Sequence, residues 1–285
     1  MKTSLAEVNR TLDLAAGLLN RTEPVKVSGP VYVGIDLGTA DVVLMALNGD
    51  GKPVAAFLEW AEVVRDGIVL DFIGAVDIVK RLVEKAEKRL GRPVTMAATS
   101  FPPGTDPRLS ANVLDSAGLD LAAIEDEPTC VASLLDLDKA AIIDIGGGTT
   151  GTAVVQNGSV VFSGDEPTGG RHISLVIAGH FGISFEEAEK RKRSPEPYGM
   201  LELAKPTLQR ICDIVSAHIA GFPVESLLLT GGTCCLPGID AVVADELNLT
   251  VKLPSQPLLL TPMAIASLAR AGDSLRSAPN STADL

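Results

Sequence analysis

Two short stretches hold the residues best suited to chemistry. In Ala141 to Val155, "AIIDIGGGTTGTAVV", an apolar run ends in Asp144. Gly146, Gly147 and Gly148 follow, then Thr149 and Thr150. In Tyr32 to Leu47, "YVGIDLGTADVVLMAL", Asp36 is followed by Gly38 and Thr39. A carboxylate closing a buried strand can order the water shell of a magnesium ion. Bare turn backbone beside it offers N–H groups to a phosphate, and glycine lets the ligand come close.

The elements that must position these residues are β-hairpins. Each stretch reads as strand, glycine turn, strand. One such turn could serve a hairpin with no ligand. Two copies, 108 positions apart from Asp36 to Asp144, point to nucleotide-phosphate binding by a chain of two related halves.

The composition sets the frame. The chain has 285 residues, 46% of them hydrophobic and only 4% aromatic. Its mean hydropathy is +0.28. Such a core is filled by Val, Ile, Leu and Ala, as in a sheet covered by helices. The net charge of −12 and pI near 4.7 argue against sequence-independent nucleic-acid binding and against an anionic membrane surface. No apolar run reaches bilayer length, and the N-terminus lacks a signal-peptide layout, so a cytoplasmic protein is expected. Cys130, Cys212, Cys234 and Cys235 form no C-x-x-C and read as reduced thiols. His172, His180 and His218 show no metal-ligand spacing.

Along the chain, residues 4–20 form an amphipathic helix with Ser4 and Glu7 in capping-box positions. Two readings of it stay open: a helix packed on its own domain, or a detachable docking helix. Residues 21–30 read as a linker. A third strand at 53–60 completes an antiparallel meander, Arg65–Asp66–Gly67 marks a turn, and 74–90 is a clear amphipathic helix. The strand at 93–100 should lie parallel to the first, because a helix crosses between them. A helix follows at 108–117, then a short strand at 119–125. Glu125, Asp126 and Glu127 precede Pro128 at a helix start, where the dipole favours acids. A strand after Asn157–Gly158 completes a second meander. Gly169–Gly170 before a helix offer another phosphate-facing N-terminus. Residues 184–193 form a charged helix that "SPEPYG" breaks, and 199–220 a longer helix disturbed at Pro206. After the strand opening at 226, Gly231–Gly232 form a turn. A last helix should run from about Pro262 to Ala271, with a polar, frayed tail at 273–285.

Three glycine turns in fixed order, "GIDLGTADV", "IDIGGGTTGTAVV" and "LLLTGGTCCLPGI", with "DEPTCVASLL" just before the second, resemble the actin, sugar-kinase and Hsp70 ATPase superfamily. The resemblance covers about residues 31–271. The segments "DGKPVA", "WAEVVRDGIV" and "ATSFPPGTDPR" resemble more closely still the ethanolamine-utilisation protein J family of a bacterial metabolic microcompartment. The resemblance implies an α/β fold of duplicated actin/Hsp70-like, ribonuclease H-like type, with two lobes around a nucleotide cleft and reduced outer subdomains. The expected divisions are an N-terminal helix and linker (1–30), lobe I (31–140), lobe II (141–256), a C-terminal helix returning to lobe I (257–272) and the tail.

It also implies roles. Asp36 and Asp144 would organise Mg2+, and Gly38, Thr39, Gly146, Gly147, Gly148 and Thr149 would hold the phosphates of ATP. Glu127 would polarise the attacking water. Gly169 and Gly170 would approach the phosphates. Glu189, Lys192 and Arg193 would flank adenosine, with Gly231, Gly232 and Thr233 as the adenosine loop. The partner implied is an enzyme or shell protein of ethanolamine metabolism, served by a chaperone-like cycle of lobe closure. Three departures weigh toward slow turnover. Gly151 and Arg171 stand where Hsp70s carry acids, and no residue matches their catalytic lysine. A non-hydrolysing adaptor or scaffold, a small-molecule kinase and a filament former are the alternatives.

Overall fold

The structure, a computed structural model, describes residues 2–61, 64–65, 68–69, 71–194 and 199–277. The turn residues Asp66–Gly67, the break at 195–198 and the tail beyond 277 lie outside the described residues. Helix α1 (Leu5–Leu18) leads into β1 (Val31–Leu37), β2 (Asp41–Asn48), β3 (Pro53–Trp60) and a short pair, β4 (Val64–Arg65) and β5 (Ile68–Val69). Then come α2 (Phe72–Leu90), β6 (Met96–Phe101), α3 (Arg108–Ser116), β7 (Asp120–Asp126) and α4 (Glu127–Leu134). The second half repeats the plan with β8 (Ala140–Ile145), β9 (Thr150–Gln156), β10 (Ser159–Glu166), α5 (Gly170–Phe181), α6 (Phe185–Lys192) and α7 (Met200–Ile219). It ends in β11 (Ser226–Thr230), a 3-10 turn at Gly232–Cys235, α8 (Ile239–Leu247), β12 (Thr250–Lys252) and α9 (Pro257–Ser277).

The two five-stranded sheets have one topology, β3-β2-β1-β6-β7 and β10-β9-β8-β11-β12. In each, two antiparallel hairpin pairings join two parallel ones. The duplication expected from the two glycine hairpins is therefore a duplication of the whole sheet.

Period-two burial explains how the layers stack. On β2, Val42, Leu44 and Ala46 enter a core beneath α2 and α3, while Val43, Met45 and Leu47 enter a core shared with α1, α4 and α9. On β8, Ala140 and Ile142 join that shared core, while Ala141, Ile143 and Ile145 face α5, α7 and α8. Helix α9 packs on β1, β2, β6 and β7, whereas α4 packs on β8, β9 and β10, and the two helices pack on each other. Each half thus sends its last helix onto the other half's sheet.

Local chemistry sets the helix ends. Asp71 Oδ1 accepts from Gly74 N at 2.8 Å to cap α2, and Gly91, at φ +67°, stops it. Two proline readings need correction. Helix α9 starts at Pro257 and carries Pro262 inside it, and α7 runs unbroken through Pro206. Tertiary packing on both flanks outweighs the one lost hydrogen bond.

Helix α1 has the expected Ser4–Glu7 capping box and lies on β3 and α9. Val8, Leu12 and Ala15 are fully buried in the shared core, so the helix is packed on its own body. Leu12→Ala should lower the unfolding free energy by about 2–5 kcal/mol. Urea denaturation checks this, and an unchanged midpoint would restore the detachable-helix reading.

Candidate functional site

The C-terminal ends of β1 and β8 face one cleft. It is lined by Asp36, Gly38, Thr39, Glu127, Asp144, Gly146, Gly147, Thr149, Glu189, Lys192, Arg193, Gly231, Gly232 and Thr233. These come from five separate parts of the chain. The two glycine loops meet across it: a β-carbon on Gly147 would lie 2.9 Å from Ala40 Cβ and 3.5 Å from Thr39 Cβ.

The second loop is held from behind. Gly170 N and Arg171 N, the first amides of α5, donate to Gly146 O and Gly147 O at 2.9 and 2.8 Å. Thr233 Oγ1 donates to Gly146 O at 2.8 Å. Because a trans peptide points its N–H opposite its C=O, the amides of Gly147 and Gly148 are turned away from α5. That leaves the loop's donors available for an anion. It also changes the role of Gly169 and Gly170, which do not line the cleft, nor does Gly148. The α5 amides are spent on loop carbonyls and are not free for a phosphate. A β-carbon on Gly169 would lie 2.7 Å from Gly146 O, so glycine there serves helix-to-loop packing.

The carboxylates dominate the electrostatics. Asp144 is buried and accepts from Thr261 Oγ1 of α9 at 2.7 Å. Ser100 Oγ donates to Asp36 Oδ1 at 3.3 Å. Burial, then the charges of Asp144 and Asp41, push Asp36 up to about 8. Burial pushes Asp144 to about 6 against the Thr261 bond. Burial likewise raises Asp41 to about 6, although the Arg193 charge opposes it. Glu127 is raised well above the ordinary range by burial, then by Asp144 and Asp36.

The cations do not neutralise this group. Lys192 Nζ donates to Glu189 Oε1 at 2.6 Å and Ser174 Oγ at 2.7 Å, and Arg193 Nη2 to Glu189 Oε2 at 2.6 Å. Burial works to raise Glu189, but the Lys192 charge and these bonds outweigh it and hold it below the ordinary range. Asp36, Asp144 and Glu127, raised by burial with no cation opposing it, suit a bound cation. Among the described residues no three of His, Cys, Asp and Glu stand together as direct metal ligands. Two strand-end carboxylates, Asp36 and Asp144, lining one cleft fit magnesium, which keeps most of its waters and takes further ligands from phosphate.

Several cleft residues had no reading in the sequence. Asp41 opens β2 beside the first loop, a place where its spacing was a usable signal. Trp60, half exposed at the end of β3, lies under the Arg193 guanidinium, 3.9 Å from carbon to ring centroid. This contact joins the two sheets' sides at the cleft mouth. Arg171, already noted as a departure from the Hsp70 pattern, stands 4.4 Å over the Phe185 ring. Thr261 and Leu258 arrive on α9, and nothing near position 261 signals a partner at 144.

Two sheets of one topology, crossed by each other's last helices around a glycine- and carboxylate-lined cleft, define the actin/Hsp70-like fold class. Ethanolamine utilization protein EutJ of Escherichia coli (strain K12) is 51% identical over 260 residues, covering 91% of this chain and 93% of that protein. The chain belongs to the EutJ family of ethanolamine utilization proteins. The crystal structure of EutJ from Carboxydothermus hydrogenoformans superposes with a TM-score of 0.86 at 39% identity, over 93% of this chain and 99% of that one. MreB5 of Spiroplasma citri, solved bound to AMPPNP, shares the fold at a TM-score of 0.69 and 18% identity, over 86% and 98%. The model of the type IV pilus assembly protein PilM matches residues 122–261. Among the described residues no helix is long and apolar enough to cross a membrane.

Proposed function

We propose that the chain binds ATP with Mg2+ in this cleft, hydrolyses it slowly, and uses lobe closure to act on a partner protein of ethanolamine metabolism in a chaperone-like way. The observation that carries the reading is the pair of glycine loops, each with its strand-end carboxylate, meeting across one cleft that holds an uncompensated negative charge. The AMPPNP held by a protein of the same fold supports it. Membership of the EutJ family supports a cytoplasmic site of action on an enzyme or shell protein of ethanolamine metabolism.

Each group has a task. Gly146, the amide of Gly147 and Thr149, with Gly38 and Thr39 opposite, hold the phosphates. Asp36 and Asp144 hold the waters of the magnesium ion, which supplies charge neutralisation when bound. Thr261 fixes the Asp144 carboxylate. Glu127 orients the attacking water. Gly231 and Gly232 let the adenosine side approach, and Glu189, Lys192 and Arg193 form its wall. The Arg193–Trp60 stack spans the mouth, so closure and opening must make and break it.

Saturating Mg–ATP should raise the melting temperature by about 5 °C or more. ATP with chelator should give less, and Asp144→Asn should remove most of the magnesium-dependent part. The chain has a single tryptophan, so Trp60 emission should change in the same titration. Equal melting with and without Mg–ATP would sink the reading. The adaptor alternative keeps a specific observation in its favour, the missing side chain at Gly151. Phosphate release by micromolar protein separates the two.

A further inference from the structure

One stack at the cleft mouth sits where part of a ligand would have to go. Trp60 is the last residue of β3, and its partner across the ladder is Asp41 of β2. Directly opposed residues share one face of a sheet, and both residues line the cleft. Arg193 follows α6 on the opposite wall. Buried Glu189 fixes its guanidinium: Oε2 accepts from Nε at 2.8 Å and from Nη2 at 2.6 Å. Lys192 and Ser174 hold the other oxygen of that carboxylate. Both Arg193 bonds use one edge of the guanidinium, so its flat faces remain for stacking.

The two walls meet at this point. Trp60 belongs to the first sheet and Arg193 to the second half, so the guanidinium face turned to Trp60 is the face turned into the cleft. A carbon-to-centroid distance of 3.9 Å is van der Waals contact, and no third ring fits between the pair. A planar guanidinium stacks on indole and on a nucleobase by the same forces. The face that a base needs is thus already covered by a flat aromatic ring of the chain itself. Trp60 is 49% exposed, so a swing away from Arg193 gives up chiefly the stack.

We infer that Trp60 is a specificity-determining residue that stands in for the nucleobase, so that a nucleotide gains its base contact with Arg193 only by displacing the indole. The inference rests on the nucleotide reading, with adenosine beside Arg193. Its consequence is that the two parts of a nucleotide count differently. Phosphates and Mg2+ engage the glycine loops and the strand-end carboxylates, and a ligand with no base leaves the stack in place. A ligand with a base exchanges one stack for another and gains little net affinity from Arg193. In the unaltered chain the phosphates therefore carry the affinity. The base instead unpins the two walls from each other, which a phosphate-only ligand does not do. Removing the indole frees the Arg193 face and lets the base count in full.

Calorimetric titration of the full chain with Mg–ATP and with Mg–tripolyphosphate tests this. Trp60→Leu keeps apolar bulk without a ring face. It should bind Mg–ATP about threefold or more tightly than the unaltered chain, and Mg–tripolyphosphate equally. Trp60→Phe keeps a ring on Arg193 and should stay close to the unaltered chain, a contrast with leucine that bulk alone would not produce. In the unaltered chain Trp60 emission should shift with Mg–ATP and hold with Mg–tripolyphosphate. If Trp60→Leu binds Mg–ATP no better than the unaltered chain, the inference is overturned while the nucleotide reading stands. Weaker binding overturns it as well, because the indole would then be a wall for the base. So does an equal gain for both ligands, which would make the indole a gate with no bearing on the base. Mg–ATP binding to neither chain overturns the inference and the nucleotide reading together.

Discussion

Replacing Gly34 with alanine is expected to lower the unfolding free energy by about 3 kcal/mol or more. Gly34 is buried in β1, paired to Met45 on one side and Ala98 on the other. A β-carbon there would overlap Ala266 N and lie 2.8 Å from Ala266 Cα and 2.9 Å from Ile265 C. All three are backbone atoms in the middle of α9, so no rotamer change relieves the clash. The helix cannot slide away as a unit, because it also packs on β2, β6, β7, α4 and α1. The damage should reach the cleft. Thr261, one and a half turns before Ala266, holds Asp144, and Leu258 lines the cavity. Urea denaturation should show the loss, and the Mg–ATP melting shift should shrink with it. Gly179→Ala is the control. That glycine is inside α5 with open space around the added carbon, and alanine there should stabilise by about 0.5–1 kcal/mol. A loss below about 1 kcal/mol at Gly34 would mean that α9 is not clamped as described.

Gly34 also marks where sequence reading ends. A glycine within a strand signals close approach of another backbone, but not which one, and Ala266 lies 232 positions away. What was legible is what is local. Glycine turns after strand-end acids, the capping box at Ser4 and the amphipathic spacing of α2 all depend on neighbours within a few residues. The sheet duplication was legible because the local pattern occurs twice. The start of α9 and the disturbance expected at Pro206 in α7 were misjudged because proline acts locally as a breaker, while packing on two sides decides otherwise. Gly169 and Gly170 were seen as glycines before a helix, which allows two uses of the first amides. Only the fold shows that the loop carbonyls consume them. Thr261 at Asp144 and Trp60 under Arg193 are pairings between distant elements, and no periodicity encodes them.

The same carboxylates give the second large prediction. Metal-free protein should lose stability as pH rises from about 6.5 to 8.5, by about 5 °C in melting temperature. Asp36 is raised to about 8, Asp165 to about 7, and Asp41 and Asp144 to about 6, against an ordinary 3.8, with burial the leading cause in each. Within this window the folded chain still holds protons that the unfolded chain has released. Stability falls with pH wherever the native state binds more protons. Groups shifted the other way do not cancel this. Glu189 and Glu59 are lowered from 4.5, so their contribution is already complete above pH 5 and is lost only in acid. Burial lowers His218 from 6.5, which favours folding as pH rises, but that effect is spent near 6.5. Burial lowers Lys192 from 10.5 against the Glu189 charge, which favours folding as pH rises toward 10.5 and works against the slope only at its alkaline end. Asp36→Asn, isosteric and uncharged, should flatten most of the slope. Mg–ATP should reverse it, because the cation replaces the protons, so its melting shift should grow with pH. Scanning calorimetry with chelator, then with Mg–ATP, at pH 6.5, 7.5 and 8.5 gives both readings. A melting temperature that climbs across this range in chelator would show that the acids are already neutralised by the protein, and the case for a cation between the two loops would go with it.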